Sequence, residues 1–271
     1  MSLFRRETLH LSIGPEGAAL VRLAGRRRPG VSADTRLAFA VDPHAPDLSP
    51  LANCLSAGTF KADAMHIVLD DSLARYFVVP RPAGLRNRAE LEGLLVSRFE
   101  EQYGLASGAW AIRGELAPQA AIDLACAVPR RLIDALQSLC AELRMPLRSL
   151  RPYAISEIDR WQRKAPRGPA WFAAGSPDGV TLGYWSAAGW QGMRCHPVDG
   201  DWLPALPSLQ ARDGLMHGVP EGAPLLCTGS IGQSLSAPAA PHFQVLGAGL
   251  WPGRNASWSR GYRVALSGVW P

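Results

Sequence analysis

The sequence predicts a mixed α/β protein of two similar lobes, each with a mixed sheet that begins as an antiparallel meander, and with a smaller α/β subdomain inserted in the first lobe. Three observations predict it. Short segments of alternating hydrophobicity are separated by Gly-Pro turns, amphipathic stretches of helical period lie between them, and the order of elements in residues 8–70 returns in residues 170–229. The 271 residues are 47% hydrophobic and 19% charged, too apolar for a disordered chain and enough for one large domain or two small ones.

Thr8 to Ile13 (TLHLSI) alternates, Gly14-Pro15-Glu16-Gly17 turns the chain, Ala18 to Leu23 returns, and Arg36 to Val41 makes a third strand. Leu48, Leu51 and Leu55 follow at helical spacing with Asp47 or Ser49 as N-cap, and Met65 to Leu69 is a short apolar strand. The insertion then opens with Ala74 to Val79, a strand that stops at Pro80. Residues 89–103 form a helix with Leu91, Leu94, Leu95, Phe99 and Tyr103 on one face, and Asn87 and Glu90 have the spacing of a capping box. Trp110 to Arg113 and Ile122 to Val128 read as strands. Pro129 opens a helix whose apolar face is Leu132, Ile133, Leu136, Leu139, Cys140 and Leu143. Both apolar stripes are expected to pack under the insertion's own sheet. A further helix from Pro152 carries Ile155, Ile158 and Trp161, and Lys164-Ala165-Pro166-Arg167-Gly168-Pro169 reads as the linker.

The second copy runs from Ala170 to Ala174, through Gly175-Ser176-Pro177-Asp178-Gly179, back along Val180 to Trp185, and into Trp190 to Cys195. Trp202, Leu206 and Leu209 then precede the apolar strand Leu225 to Cys227. Gly14 to Gly175 is an offset of 161, and His66 to Leu225 one of 159. The agreement suggests a duplicated βββαβ unit, against the rival that glycine hairpins are common and two align by chance. The expected domains are a first lobe over 1–164, holding the insertion at about 74–145, and a second lobe over 170–271, joined by the linker 164–169.

The net charge of +5 rests on 26 Arg against 2 Lys, a usage that fits a GC-rich bacterial genome more than a basic function. Arg26, Arg27 and Arg28 read as a solvated loop, and neither a stacking platform nor a nucleic-acid motif accompanies them, so no nucleic-acid partner is expected. Five widely spaced Cys (54, 126, 140, 195, 227) suit neither a disulfide framework nor a zinc site, and Cys126, Cys140 and Cys227 read as core thiols. Met1 to Glu7 runs into an alternating segment, so no signal peptide is expected, and prolines break the longest uncharged stretch, Gly222 to Gly253. A cytoplasmic protein is expected.

Motifs for chemistry fail in turn. Neither Lys61 nor Lys164 follows glycine, which excludes a Walker A loop. Gly247-Ala248-Gly249-Leu250-Trp251-Pro252 ends on proline where a dinucleotide fingerprint needs glycine, and Ser230 in Thr228-Gly229-Ser230-Ile231-Gly232 lacks the first glycine of a nucleophile elbow. The six His show no metal-ligand spacing. Asp199-Gly200-Asp201 and Asp70-Asp71-Ser72 read as solvated turns.

Three segments carry a resemblance: His66-Ile67-Val68-Leu69 through Arg75-Tyr76-Phe77-Val78-Val79-Pro80; the helix from Glu90 to Tyr103; and Ala125 to Trp161, with its Val-Pro-x-x-Leu-x-x-x-Leu run at Val128, Pro129, Leu132 and Leu136. With the duplicated unit, they resemble the actin-like, RNase H-like ATPase fold, and within it the PilM/GspL type of cytoplasmic component of type IV pilus and type II secretion machines. Members that bind ATP use a D-x-G turn after the first strand, a second acidic glycine turn and a Gly-Gly adenosine loop. Here the matching segments are Ser12-Ile13-Gly14, Ala173-Ala174-Gly175 and Thr228-Gly229-Ser230, so both acids are missing.

The resemblance therefore implies a degenerate cleft at Ser12, Gly14, Gly17, Gly175, Gly179 and Gly229, with no catalytic residue and no metal ligand. It implies no cofactor, with ATP and magnesium left open because the amides of Gly14 to Gly17 could meet an anion. The function implied is a scaffold that binds the cytoplasmic segment of a PilN-like inner-membrane protein and so lies at the membrane through that partner. A homodimer stays open. The alternatives are an ATPase whose acid comes from Asp70 or Asp178, and an unrelated metal-dependent transferase using Asp199 and Asp201.

Overall fold

The computed structural model describes residues 7–25, 30–82, 84–85, 87–114, 121–161, 168–220, 222–229, 243–245 and 264–267. Arg26 to Arg28, Ser230, Gly247 to Pro252 and most of the expected linker (164–167) lie outside the described residues.

The first unit comprises β1 (Glu7–Gly14), β2 (Gly17–Ala24), β3 (Gly30–Ala38), α1 (Ser49–Ser56) and β4 (Ala64–Leu69). The insertion follows as β5 (Arg75–Pro80), α2 (Arg88–Tyr103), β6 (Trp110–Gly114), β7 (Ile122–Pro129) and α3 (Arg130–Glu142). After β8 (Leu147–Pro152) and α4 (Tyr153–Trp161) comes the second unit: β9 (Ala170–Ser176), β10 (Gly179–Ser186), β11 (Gly189–Pro197), α5 (Leu206–His217) and β12 (Leu225–Gly229), with β13 (Phe243–Val245) beyond it. The meander-helix-strand order holds in both units.

The first sheet has the order β3-β2-β1-β4-β8, antiparallel across β1–β2 and β2–β3 and parallel across β1–β4 and β4–β8. The second repeats the pattern around β9: β10 and β11 antiparallel on one side, β12 and β13 parallel on the other. Hairpin register fixes the internal alignment. Gly14 pairs with Gly17 in the first turn, and Ser176 with Gly179 in the second. Gly14 therefore matches Ser176, and Ser12 matches Ala174. The offset is one residue greater than the glycine-to-glycine alignment predicts, because the position equivalent to Gly175 is Ile13 and not Gly14. In both copies the second turn glycine has positive φ, +146° at Gly17 and +158° at Gly179. A Cβ there would lie 2.0 Å from the Leu37 carbonyl oxygen in β3 and 2.3 Å from that of His196 in β11. The same close approach recurs because the third strand crosses the same turn twice.

The insertion departs from expectation in two ways. Strand β7 lies between β5 and β6, and it meets the second unit's sheet: Ile122 pairs with Gly189, and its N–H donates to the Ala188 carbonyl at 3.0 Å. The inserted strands thus continue the sheet of the second lobe, although the chain enters and leaves them from the first. The helix stripes also separate. Leu91, Leu95 and Phe99 of α2 pack on Phe77, Val79, Trp110 and Ile112, under the insertion's own sheet. Leu132, Leu136 and Leu139 of α3 join the main core with Leu51, Met65 and Ile67 instead. Their stripe is the better segregated of the two, and the larger apolar surface available to it is that of the first sheet.

The main core is shared. Leu9, Leu11 and Ile13 lie in one cluster with Phe172, Ala174, Met193 and Leu226 of the second unit, and with Val264. Ala265 and Leu266 pack on Val21 and Leu23, so the last described segment returns to the first lobe. Helix α4 bridges the units. Glu157 accepts hydrogen bonds from the Thr228 hydroxyl and, at 3.0 Å, from Trp161 Nε1, and burial pushes its carboxyl above the usual range.

Candidate functional site

The two hairpin turns face each other. Ser12, Ile13, Gly14, Glu16, Gly17, Ala18, Ala19 and Arg36 of the first lobe, with Asp70, line one cavity together with Pro177, Asp178 and Val264. Its volume is about 40 Å³, room for an ion with a few waters. A described pocket of that size is far below the ~300–1,000 Å³ of small-molecule sites.

Of the residues the sequence singles out, Ser12, Gly14 and Gly17 line this cavity and Gly175, Gly179 and Gly229 do not. Gly175 and Gly229 are cross-strand partners behind it. A Cβ on Gly175 would lie 2.0 Å from Trp202 Nε1, and one on Gly229 would lie 2.5 Å from the Tyr153 hydroxyl. These two glycines make room for buried aromatic side chains, a packing role. Asp199 and Asp201 are exposed, and Asp201 caps the next turn by accepting from Leu203 N–H at 3.2 Å. That pair matches the solvated turn expected.

Asp70 and Asp71 do not. They are 3% and 1% exposed, so the solvated-turn reading is wrong. Strand β4 runs parallel to β1, and the Asp70 N–H donates to the Ile13 carbonyl at 2.7 Å, which sets the two acids at the root of the cleft. Asp70 Oδ1 accepts from Ser72 N–H at 2.9 Å, while Oδ2 is buried with no hydrogen-bond partner. Asp71 turns the other way. It accepts from Ala154 N–H at 2.9 Å, from Thr181 Oγ1 of the second lobe at 2.7 Å, and from the Tyr76 hydroxyl. Burial, then the neighbouring Asp70 charge, push its carboxyl up to about 7 against these bonds.

Asp178, at the tip of the second hairpin, reaches across to the first. A Cβ on Gly14 would lie 2.8 Å from Asp178 Oδ2 and 3.5 Å from Asp70 Cβ, so both acids abut Gly14. Burial and the charges of Asp70 and Glu16 push Asp178 up to about 6, with Arg36 opposing. The lining thus carries three carboxylates and one guanidinium. An anion at Gly14 to Gly17 would meet the Asp178 carboxylate, so the described lining does not fit the phosphates of a nucleotide. No acid stands at Ser12 or at its structural equivalent Ala174. The sequence names Asp70 and Asp178 as the acids of the rival ATPase, and both line this cavity; Asp70 directly follows the strand parallel to β1, which delivers it to the end of that strand.

His10 and His66 meet on neighbouring strands, stacked with ring centroids 4.9 Å apart, and burial followed by the His66 charge lowers His10 to about 3. Parallel stacking does not converge the ring nitrogens on a shared metal. Among the described residues no group of three or more His, Cys, Asp or Glu is arranged to hold a metal ion.

No family model matches this sequence, and no curated protein matches it. Solved structures match its fold. A PilM–PilN type IV pilus biogenesis complex has a chain similar at TM-score 0.64 and 14% identity, covering 99% of this chain and 100% of that one. The cytoplasmic domain of EpsL, an inner-membrane component of the type II secretion system of Vibrio cholerae, is similar at TM-score 0.57 and 14% identity, over 89% and 90% of the two chains. A Bacteroides thetaiotaomicron protein with an actin-like ATPase fold and unknown function is similar at TM-score 0.58 and 9% identity, over 89% and 91%. This chain has the actin-like ATPase fold.

Proposed function

We propose that the protein is a non-catalytic component of a type IV pilus, type II secretion or DNA-uptake machine, a scaffold that binds the cytoplasmic segment of a PilN-like inner-membrane protein. The observation that supports this best is the likeness, over essentially the whole of both chains, to a chain of a PilM–PilN complex. A cleft of about 40 Å³ lined by three carboxylates, with no acid at Ser12 or Ala174, favours a scaffold over a nucleotide hydrolase. The protein would lie in the cytoplasm and reach the membrane through its partner. No helix among the described residues is long and apolar enough to cross one. Nucleic acid has no part in this reading, and a homodimer is compatible with it.

The test pairs two measurements. The protein should bind the cytoplasmic segment of the single-span membrane protein encoded beside it, and ATP added at a fixed concentration of free Mg²⁺ should leave its melting temperature unchanged. Micromolar ATP affinity by calorimetry, or failure to bind that segment, would defeat the scaffold. One observation favours the rival ATPase: Asp70 and Asp178, the acids it would need, both line the cleft. ATP turnover abolished by Asp178→Asn would establish it.

A further inference from the structure

Strand β3 is an edge of the first sheet: among the described residues it pairs with β2 alone. The Phe39 N–H donates to the Glu16 carbonyl at 3.2 Å, one step beyond the Gly17–Ala38 pair, and this bond fixes which way each residue of the strand turns its backbone. Residues of an antiparallel strand alternate. Ala33, Thr35 and Leu37 therefore turn N–H and C=O toward β2, and Asp34, Arg36 and Ala38 turn theirs away from the sheet. An edge of this kind is a template for another strand. The side chains alternate as well. Asp34 and Arg36 are exposed on one face and form no ion pair with any described residue. Ala33 and Leu37 lie half-buried on the other face, against the main core. A bulge opposite Arg22 and Leu23 ends the regular stretch at Ala33.

We propose that β3 is a dimer interface, pairing antiparallel with the β3 of a second copy about a twofold axis at Thr35. In that register Asp34 stands opposite the partner's Arg36, and Arg36 opposite the partner's Asp34. Both are hydrogen-bonded pairs, because these are the residues whose backbone faces outward. Charge selects the register. Moving the axis to Asp34 or to Arg36 would set like charges directly opposite, which is destabilising. An acid and a base two residues apart complement themselves when the strand is reversed, as a twofold interface requires. On the other face Thr35 meets the partner's Thr35 and Leu37 covers the partner's Ala33, so half-exposed apolar surface leaves water. The two first sheets become one continuous sheet. Arg36 also lines the cleft, so the partner's Asp34 brings a carboxylate beside it, and the twofold axis puts the cleft linings of both copies on the same side. The bulge keeps the ladder short, so the dimer is weak and depends on concentration.

The test is sedimentation equilibrium of the full chain, with amide hydrogen exchange read at the dilute and concentrated ends of the series. A dimer should form with a Kd of about 1–100 μM and weaken as salt is raised. On dimerisation the amides of Asp34 and Arg36 should become protected, whereas those of Thr35 and Leu37, which face β2, should be protected throughout. Asp34→Arg and Arg36→Asp should each weaken the dimer about tenfold or more, since either change sets like charges opposite in both pairs at once. The two changes together should restore it to within about threefold, which separates loss of pairing from loss of the fold. A protein that stays monomeric up to about 1 mM would overturn the proposal. So would a dimer indifferent to Asp34→Arg, a double variant that fails to recover, or Asp34 and Arg36 amides that exchange alike in monomer and dimer. Protection of those amides only when the membrane partner's segment is added would overturn it too, and would assign the edge to that strand. The scaffold reading stands or falls separately, on partner and ATP binding.

Discussion

Gly17 and Gly179 carry the clearest consequence of a single residue. Each has positive φ and would set a Cβ against a carbonyl oxygen of the third strand. Gly17→Ala and Gly179→Ala should each cost at least about 1–3 kcal/mol in urea unfolding, whereas Gly58→Ala, whose Cβ meets nothing, should pay only for its φ of +84°. Equal costs at all three would contradict the crossing geometry. Asp71 makes a prediction about pH. Its folded value near 7 exceeds the ordinary 3.8, so the folded state holds a proton that the unfolded chain has released. Its contribution to stability is then fully present below about pH 4 and is lost as pH rises through 7. Asp71→Asn, which mimics the protonated carboxyl, should carry a stability penalty that shrinks between about pH 5 and pH 8. A penalty that grows over that range would show that the carboxylate form is the stabilising one.

At the scale of elements, α2 and α3 separate local from tertiary information. The start of α2 is local: Asn87 Oδ1 accepts from Glu90 N–H at 3.0 Å, and Asn87 Nδ2 donates to Glu90 Oε1 at 2.9 Å, as the sequence spacing predicts. Asn87→Ala should cost about 1 kcal/mol, and Phe99→Ala in the fully buried insertion core about 3–5 kcal/mol, both read by chemical denaturation. The stripe of α3 was just as legible, but not its destination. Period marks which face is apolar and is silent on which of two sheets will cover it.

For the whole molecule, the shared core and the bridging bonds predict how it unfolds. Thr181 of β10 donates to Asp71, and Thr228 of β12 donates to Glu157 on α4, so the second unit supplies a donor to each of two buried acids that precede it in the chain. The protein should unfold in one cooperative transition. Thr181→Val and Thr228→Val should each destabilise it by about 1–3 kcal/mol, since each leaves a buried carboxylate short of a donor. Their combination should raise hydrogen exchange first in α4 and β12. Two separated transitions in the unaltered protein would mean that the lobes fold independently.

By itself the sequence determined what depends on neighbours along the chain: the alternation in Thr8 to Ile13, the turns at Gly14-Pro15 and Pro177-Asp178, the cap at Asn87, and the repeated order of elements. It also determined that no acid stands at Ser12, and the one-residue correction that matches it to Ala174 leaves that unchanged. The tertiary structure alone decided what depends on distant segments meeting. It set the register that pairs Ser176 with Gly179, joined Ile122 to Gly189, and took Gly175 and Gly229 out of the cleft to pack against Trp202 and Tyr153. It also turned Asp70-Asp71 from an apparent surface turn into two buried acids with different partners. The physical reason is that burial belongs to the fold: an Asp-Asp-Ser turn has the same local chemistry in water or under a second lobe. Only the arrival of Asp178 and Thr181, more than a hundred residues later in the chain, removes that water.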